Sequence, residues 1–120
     1  MNINIKSTNI ELTDAVKEYA LEKIGSLEKY FDNIQGADID LGMHSTHHQK
    51  GKVFYAEVNM LVPGKKLRVV KDSEDQYKAI DKVKDHLKAE LEKMKGKMRS
   101  FDQEELRGVK EYQEEDEIGN

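Results

Sequence analysis

The chain has 120 residues, is 37% charged and 37% hydrophobic, and carries no cysteine and a formal net charge of −4. That length holds one compact domain and a tail, and the lack of cysteine excludes disulfides and thiolate metal sites. No run approaches the roughly 20 apolar residues of a membrane span, and the opening MNINIKSTNIELT lacks a signal-peptide core, so a cytoplasmic protein with no membrane partner is expected.

The net charge hides an asymmetry. Residues 101–120 carry eight acidic side chains against Arg107 and Lys110, a local −6, whereas the other 100 residues carry 18 basic and 16 acidic ones, a local +2. Partners meet local fields rather than the total.

In chain order, Ile3 and Ile5 alternate with polar neighbours and predict a short strand. Thr13 followed by Asp14 marks a helix start. From there Val16, Tyr19, Ala20, Ile24, Leu27 and Phe31 recur at spacings of three and four, predicting about four to five helical turns before Gly36. Ala37, Ile39, Leu41 and Met43 then alternate with Asp38, Asp40 and Gly42 as a half-buried strand, and His44–Lys52 reads as a polar loop. Phe54, Ala56, Val58, Met60 and Val62 share one parity, Pro63-Gly64 supplies a turn, and Leu67 and Val69 continue a second arm, so residues 53–71 read as a hairpin.

Ser73-Glu74-Asp75-Gln76 has the form of a capping box, in which Ser73 and Gln76 would cap each other. The stripe Tyr77, Ile80, Val83, Leu87, Leu91, Met94 and Met98 predicts a long helix ending near Lys95, where Gly96 weakens it, with a frayed extension to Arg99. The expected organisation is therefore a domain over residues 1–99 and an acidic, disordered tail over 100–120. The order β-α-β-β-β-α predicts an α+β fold, a four-stranded sheet with two helices packed on one face.

Little in the chain points to catalysis. None of the eight glycines forms a phosphate-loop pattern, and no serine has the context of an activated nucleophile. Neither an enzymatic role, a cofactor nor a small-molecule substrate is expected. His44, His47 and His48 crowd one loop and could ligate zinc or nickel, or could simply be a polar connection, since no acidic or cysteine ligand sits beside them.

The last helix carries a basic arc. Lys78, Lys82, His86, Lys93 and Lys97 lie within roughly 100° of one another around it, and residues 78–99 hold eight basic against four acidic side chains. Helix 1 adds Lys17, Lys23 and Lys29, diluted by Glu18, Glu22 and Glu28. Such a surface serves solubility or binds nucleic-acid phosphates. Structured RNA suits the second reading, because A-form grooves hide the base edges.

Two segments, MNINIKSTNIELTDAVKEYALEKIGSLEKYFDNI at 1–34 and EDQYKAIDKVKDHLKAELEKMKGKM at 74–98, resemble the ribosome hibernation factor family. That family includes hibernation-promoting factor and ribosome-associated inhibitor A (protein Y), and earlier bore the label sigma-54 modulation protein. The resemblance rests on the opening strand, the Glu11-Leu12-Thr13 helix entry, Ser26-Leu27-Glu28-Lys29-Tyr30-Phe31, and Asp75-x-Tyr77-x-Ala79-Ile80-Asp81. It implies a fold resembling the double-stranded RNA-binding domain. It also implies docking on rRNA of the small ribosomal subunit, across the A and P sites, where tRNA and mRNA would be excluded when growth stops.

Lys17, Lys23, Lys29, Lys93 and Lys97 keep the charge the family places on its helices. His86 and Ala89 stand where family members usually carry lysine and arginine, and Lys78 and Lys82 are positioned to compensate. The resemblance further implies a short form without a dimerising second domain, its acidic tail favouring single over paired ribosomes. A module acting on the transcription machinery is the alternative that the older label suggests.

Overall fold

The computed structural model describes the backbone of residues 1–44 and 53–106 and the side chains of residues 1–44 and 53–97. The elements are β1 (Asn2–Thr8), α1 (Asp14–Gly25), a 3-10 turn (Ser26–Lys29), β2 (Gly36–Met43), β3 (Phe54–Val62), β4 (Lys65–Ser73) and α2 (Gln76–Leu106). The strands form one mixed sheet in the order β1-β2-β3-β4. β1 runs parallel to β2, and the remaining pairs are antiparallel.

Register sets the two faces of the sheet. Ile39 opposes Val58, Leu41 opposes Ala56, Met60 opposes Leu67 and Val58 opposes Val69, so the apolar parity of each strand falls on one side. These residues are buried together with Ala20, Ile24 and Leu27 from the first helical segment and Ala79, Ile80, Val83, Leu87 and Leu91 from α2. α2 packs on β3 and β4, and α1 lies beside α2 and reaches β1. The result is the expected α+β arrangement, with both helices on one face.

The opposite face is mostly polar, with Leu61 and Val70 exposed on it. Asn4 donates to Asp38, Thr8 and the Tyr55 hydroxyl both donate to Asp40, and Asn59 and Arg68 both donate to Glu57. The Arg68 hydrogen bond holds the Glu57 carboxyl below its usual range. Gly42 sits between Thr8 and Tyr55 in this face, and an added Cβ would lie 2.6 Å from the Thr8 carbonyl oxygen and 2.7 Å from the Tyr55 ring. Only glycine lets that ring lie over the strand. Pro63-Gly64 makes the hairpin turn, with Gly64 at φ 77°.

Several local details differ from the sequence reading. Thr13 caps α1 as expected, its Oγ1 accepting from the Val16 amide at 3.2 Å. The helix, however, stops after 12 residues and tightens into the 3-10 turn. The Ser26 hydroxyl donates to the Lys23 carbonyl at 2.7 Å, and the Tyr30 amide closes onto Leu27 at 2.9 Å. Tightening still buries Leu27 and Phe31, so the apolar spacing is kept in a different helix type.

The reciprocal capping box at α2 does not form. Ser73 Oγ accepts from the Asp75 amide, and Asp75 itself caps the helix by accepting from the Tyr77 amide at 2.8 Å. Gln76 turns inward to donate to the Tyr55 carbonyl. α2 also passes through Gly96 and continues to Leu106, beyond its expected end. Most of the acidic tail lies outside the described residues.

The helices meet at a polar, aromatic seam. The Tyr19 hydroxyl donates to Asp81 at 2.6 Å, and the Tyr19 and Tyr77 rings meet edge to face at 4.9 Å. The bond to Asp81, then burial, pushes the Tyr19 phenol up to about 12.

Three outcomes are expected. Asp75→Ala costs about 1 kcal/mol by chemical denaturation, and Ser73→Ala costs less. Gly42→Ala costs about 1–3 kcal/mol, because the strand carbonyl cannot move aside and the Tyr55 ring must. The Tyr19–Asp81 bond contributes stability fully below the ordinary tyrosine value of 10.0, and that contribution is lost as pH rises toward about 12. Burial also raises the Tyr55 phenol, so ultraviolet titration should show late phenolate steps, of which Asp81→Asn moves the Tyr19 step earlier.

Candidate nucleic-acid interface

α2 is turned by its contacts on both flanks. Tyr77 and Asp81 face α1, while Lys82 Nζ donates to the Asp72 carbonyl of β4 at 2.8 Å. Lys82, His86, Lys93 and Lys97 therefore follow the flank above the β4 edge of the sheet, and Lys78 stands nearer the crest. All five are exposed. His86 Nε2 lies 3.8 Å from Glu90 Oε2, which adds a carboxylate to the stretch already thinned at Ala89.

The α1 lysines do not join that flank. Lys23 is half-buried at the seam, its Nζ 5.3 Å from the centre of the Tyr19 ring. Lys17 lies about 160° around α1 from Tyr19, on the side turned away from α2. Lys29 is exposed on the 3-10 turn, with Nζ 5.6 Å from the Tyr30 ring centre. The eight residues thus spread over the crest and both flanks of the helical layer rather than forming one patch.

Other cations were not singled out by the helical arc. Lys88 reaches across the seam, its Nζ 5.0 Å from the Tyr30 ring centre. Its position on α2 predicts only that it faces α1, and nothing local shows that Tyr30 waits there. Lys65 and Lys66 are exposed on β4, where edge lysines also discourage strand pairing between molecules.

In the loop after β2, His44 Nε2 lies 2.9 Å from Asp72 Oδ1, and the His44 ring sits 5.0 Å from that of Tyr55. His47 and His48 lie outside the described residues. Among the described residues no group of three or more His, Cys, Asp or Glu side chains is placed to hold a metal ion, and no helix is long and apolar enough to cross a membrane.

Comparison with known proteins gives this arrangement a context. The chain is 37% identical over 98 residues to a ribosome hibernation promotion factor of Bacillus subtilis, covering 82% of this chain and 50% of that protein. It is 30% identical over 99 residues to the ribosome hibernation promoting factor of Escherichia coli, covering 82% of this chain and 98% of that one. The chain therefore spans about half the length of the first relative and nearly all of the second. A crystal structure of the Thermus thermophilus protein Y N-terminal domain matches with a TM-score of 0.68 at 32% identity, over 78% of this chain and 99% of that one. Residues 3–99 match the family described as Sigma 54 modulation protein / S30EA ribosomal protein, and the chain belongs to that family.

Proposed function

We propose that this chain is a non-catalytic, cytoplasmic ribosome hibernation factor. It binds rRNA of the small subunit at the decoding region, across the A and P sites, and holds ribosomes inactive under stress or in stationary phase. The observation that carries this reading is the exposed cationic flank of α2, Lys82, Lys93 and Lys97, on a domain whose relatives are named ribosome hibernation factors.

The chemistry suits that target. Lysine ammonium groups neutralise backbone phosphates and release counterions without reading base identity. Two helices standing side by side above a sheet offer a convex, charged layer that can follow the surface of folded RNA, as in double-stranded RNA-binding domains. Lys17, Lys23, Lys29, Lys78 and His86 would add contacts around the same layer, each reaching phosphate from a different side. The polar face of the sheet, with Asp38, Asp40 and Glu57, would be turned from the polyanion.

The test is sedimentation of the full chain with purified small subunits at increasing salt. Binding should weaken as salt rises, and the combined Lys82→Glu, Lys93→Glu and Lys97→Glu variant should lose at least about tenfold in affinity. A folded triple variant that sediments like the wild type would exclude the α2 flank as the contact. Capture of a polymerase or sigma factor from ribosome-free extract, without binding to subunits, would favour the transcription reading instead.

A further inference from the structure

Tyr30 follows the 3-10 turn, half-buried where that turn meets α2. Its ring gathers two ammonium groups from separate parts of the chain, Lys29 at 5.6 Å and Lys88 at 5.0 Å from the centroid. The electron-rich ring face attracts cations and offsets the repulsion between them. Beside the ring opens a notch of about 340 Å³ lined by Lys29, Tyr30, Glu92, Lys95 and Gly96. Gly96 leaves one wall open, since a Cβ there would meet nothing within 4 Å.

The charge balance of the notch favours an anion. Lys29 and Lys95 line it against the single lining carboxylate of Glu92, and Lys88 adds an ammonium group at the Tyr30 ring. Among the described residues none of the three lysines forms an ion pair, with Glu92 or with any other acid. A lysine stem lying along a tyrosine for packing alone would also explain one such contact. It does not explain two ammonium groups converging from different elements beside an open, net positive hollow.

We infer that this notch binds a phosphate of the RNA backbone through Lys29, Lys88 and Lys95, with Tyr30 as its positioning residue. The inference rests on the ribosomal reading above and extends it to Tyr30, Lys88, Glu92 and Lys95, which lie outside the cationic arc. Lysine ordinarily loses much rotamer freedom when it grips a phosphate. A ring that already holds two of the side chains near their bound positions lowers that cost. The notch is built from side-chain ammonium groups rather than the backbone amides of a helix start, which suits a polyanion passing over the surface better than an enclosed free phosphate.

The experiment measures affinity of the full chain for purified small subunits, with thermal unfolding of each variant as the folding control. Tyr30→Leu, which removes no charge, should weaken binding about two- to fivefold, and Tyr30→Phe should restore it. Lys88→Gln should weaken binding and flatten the salt dependence, and its effect should shrink in the Tyr30→Leu background. Glu92→Gln should tighten binding. If Tyr30→Leu does not fold, the Lys88 and Glu92 variants carry the test.

Wild-type affinity in both Lys88→Gln and Glu92→Gln, with binding still lost in the α2 triple reversal, overturns the notch and leaves the wider reading standing. Failure of the wild-type chain to bind subunits overturns both. A shift of the Tyr30 ring resonances with inorganic phosphate, combined with unchanged subunit affinity in every notch variant, overturns the RNA assignment.

Discussion

The structure depends on a constraint of parity. Each strand buries its apolar side chains on one side, with only Leu61 and Val70 exposed on the other, and the register brings those sides together, so Ile39, Leu41, Ala56, Val58, Met60, Val62, Leu67 and Val69 form one continuous face. A one-residue slip in any strand would carry its apolar side chains into water. With only one face to cover, both helices must lie on the same side and therefore next to each other. The gathering of the lysines into one layer follows from that crowding. Were the sheet apolar on both faces, a helix could lie on each, and the lysines would be divided between opposite ends of the molecule.

Crowding also explains why the contact between the helices is polar and aromatic. Each helix turns its aliphatic stripe down to the sheet, which leaves amphipathic flanks to meet sideways. Tyr19, Tyr77 and Asp81 join at one end of the seam, and Tyr30 and Lys88 at the other. Long side chains with an apolar body and a polar tip are suited to that position, because they pack below and remain hydrated above. The seam that holds the helices together thus also carries Lys23 and Lys88.

The sheet was legible because parity is a local signal. Ala37 to Met43 and Phe54 to Val62 alternate plainly, and Pro63-Gly64 announces the turn between the second pair of strands. The Thr13 cap was equally legible, a hydroxyl beside the first amides of a helix. Where two local solutions satisfy the same pattern, sequence could not choose. Leu27 and Phe31 are buried whether the chain continues as α-helix or tightens after Gly25, and the Ser26 hydroxyl tips it toward tightening. Ser73 and Asp75 can both cap α2, and Gln76 leaves the competition only because the Tyr55 carbonyl lies within reach. The site was less legible. Helical spacing found the cations of α2, but which flank they occupy depends on Asp72 and Tyr19, and the meeting of Lys88 with Tyr30 joins residues 58 positions apart. The need for glycine at position 42 is likewise invisible until the Tyr55 ring is laid across it.

The Tyr30 notch sits where the buried stripe of α2 thins out. Leu91 is buried and Met94 half-buried, but Lys95, Gly96 and Lys97 are exposed in succession, although the backbone stays helical to Leu106. Three successive positions span about 200° of a helix, so around Gly96 the side turned from the sheet is open to solvent. Up to Met94, opening a backbone hydrogen bond means disturbing the core. At Gly96 the missing side chain also lowers the helix propensity by about 1 kcal/mol relative to alanine. Lys95 and Gly96 stand just past that buried stripe, so one wall of the Tyr30 notch is held by a turn of helix that glycine weakens. A ligand that ordered that wall would spend part of its binding energy on the ordering, and its affinity would vary with the helical stability of residues it never touches.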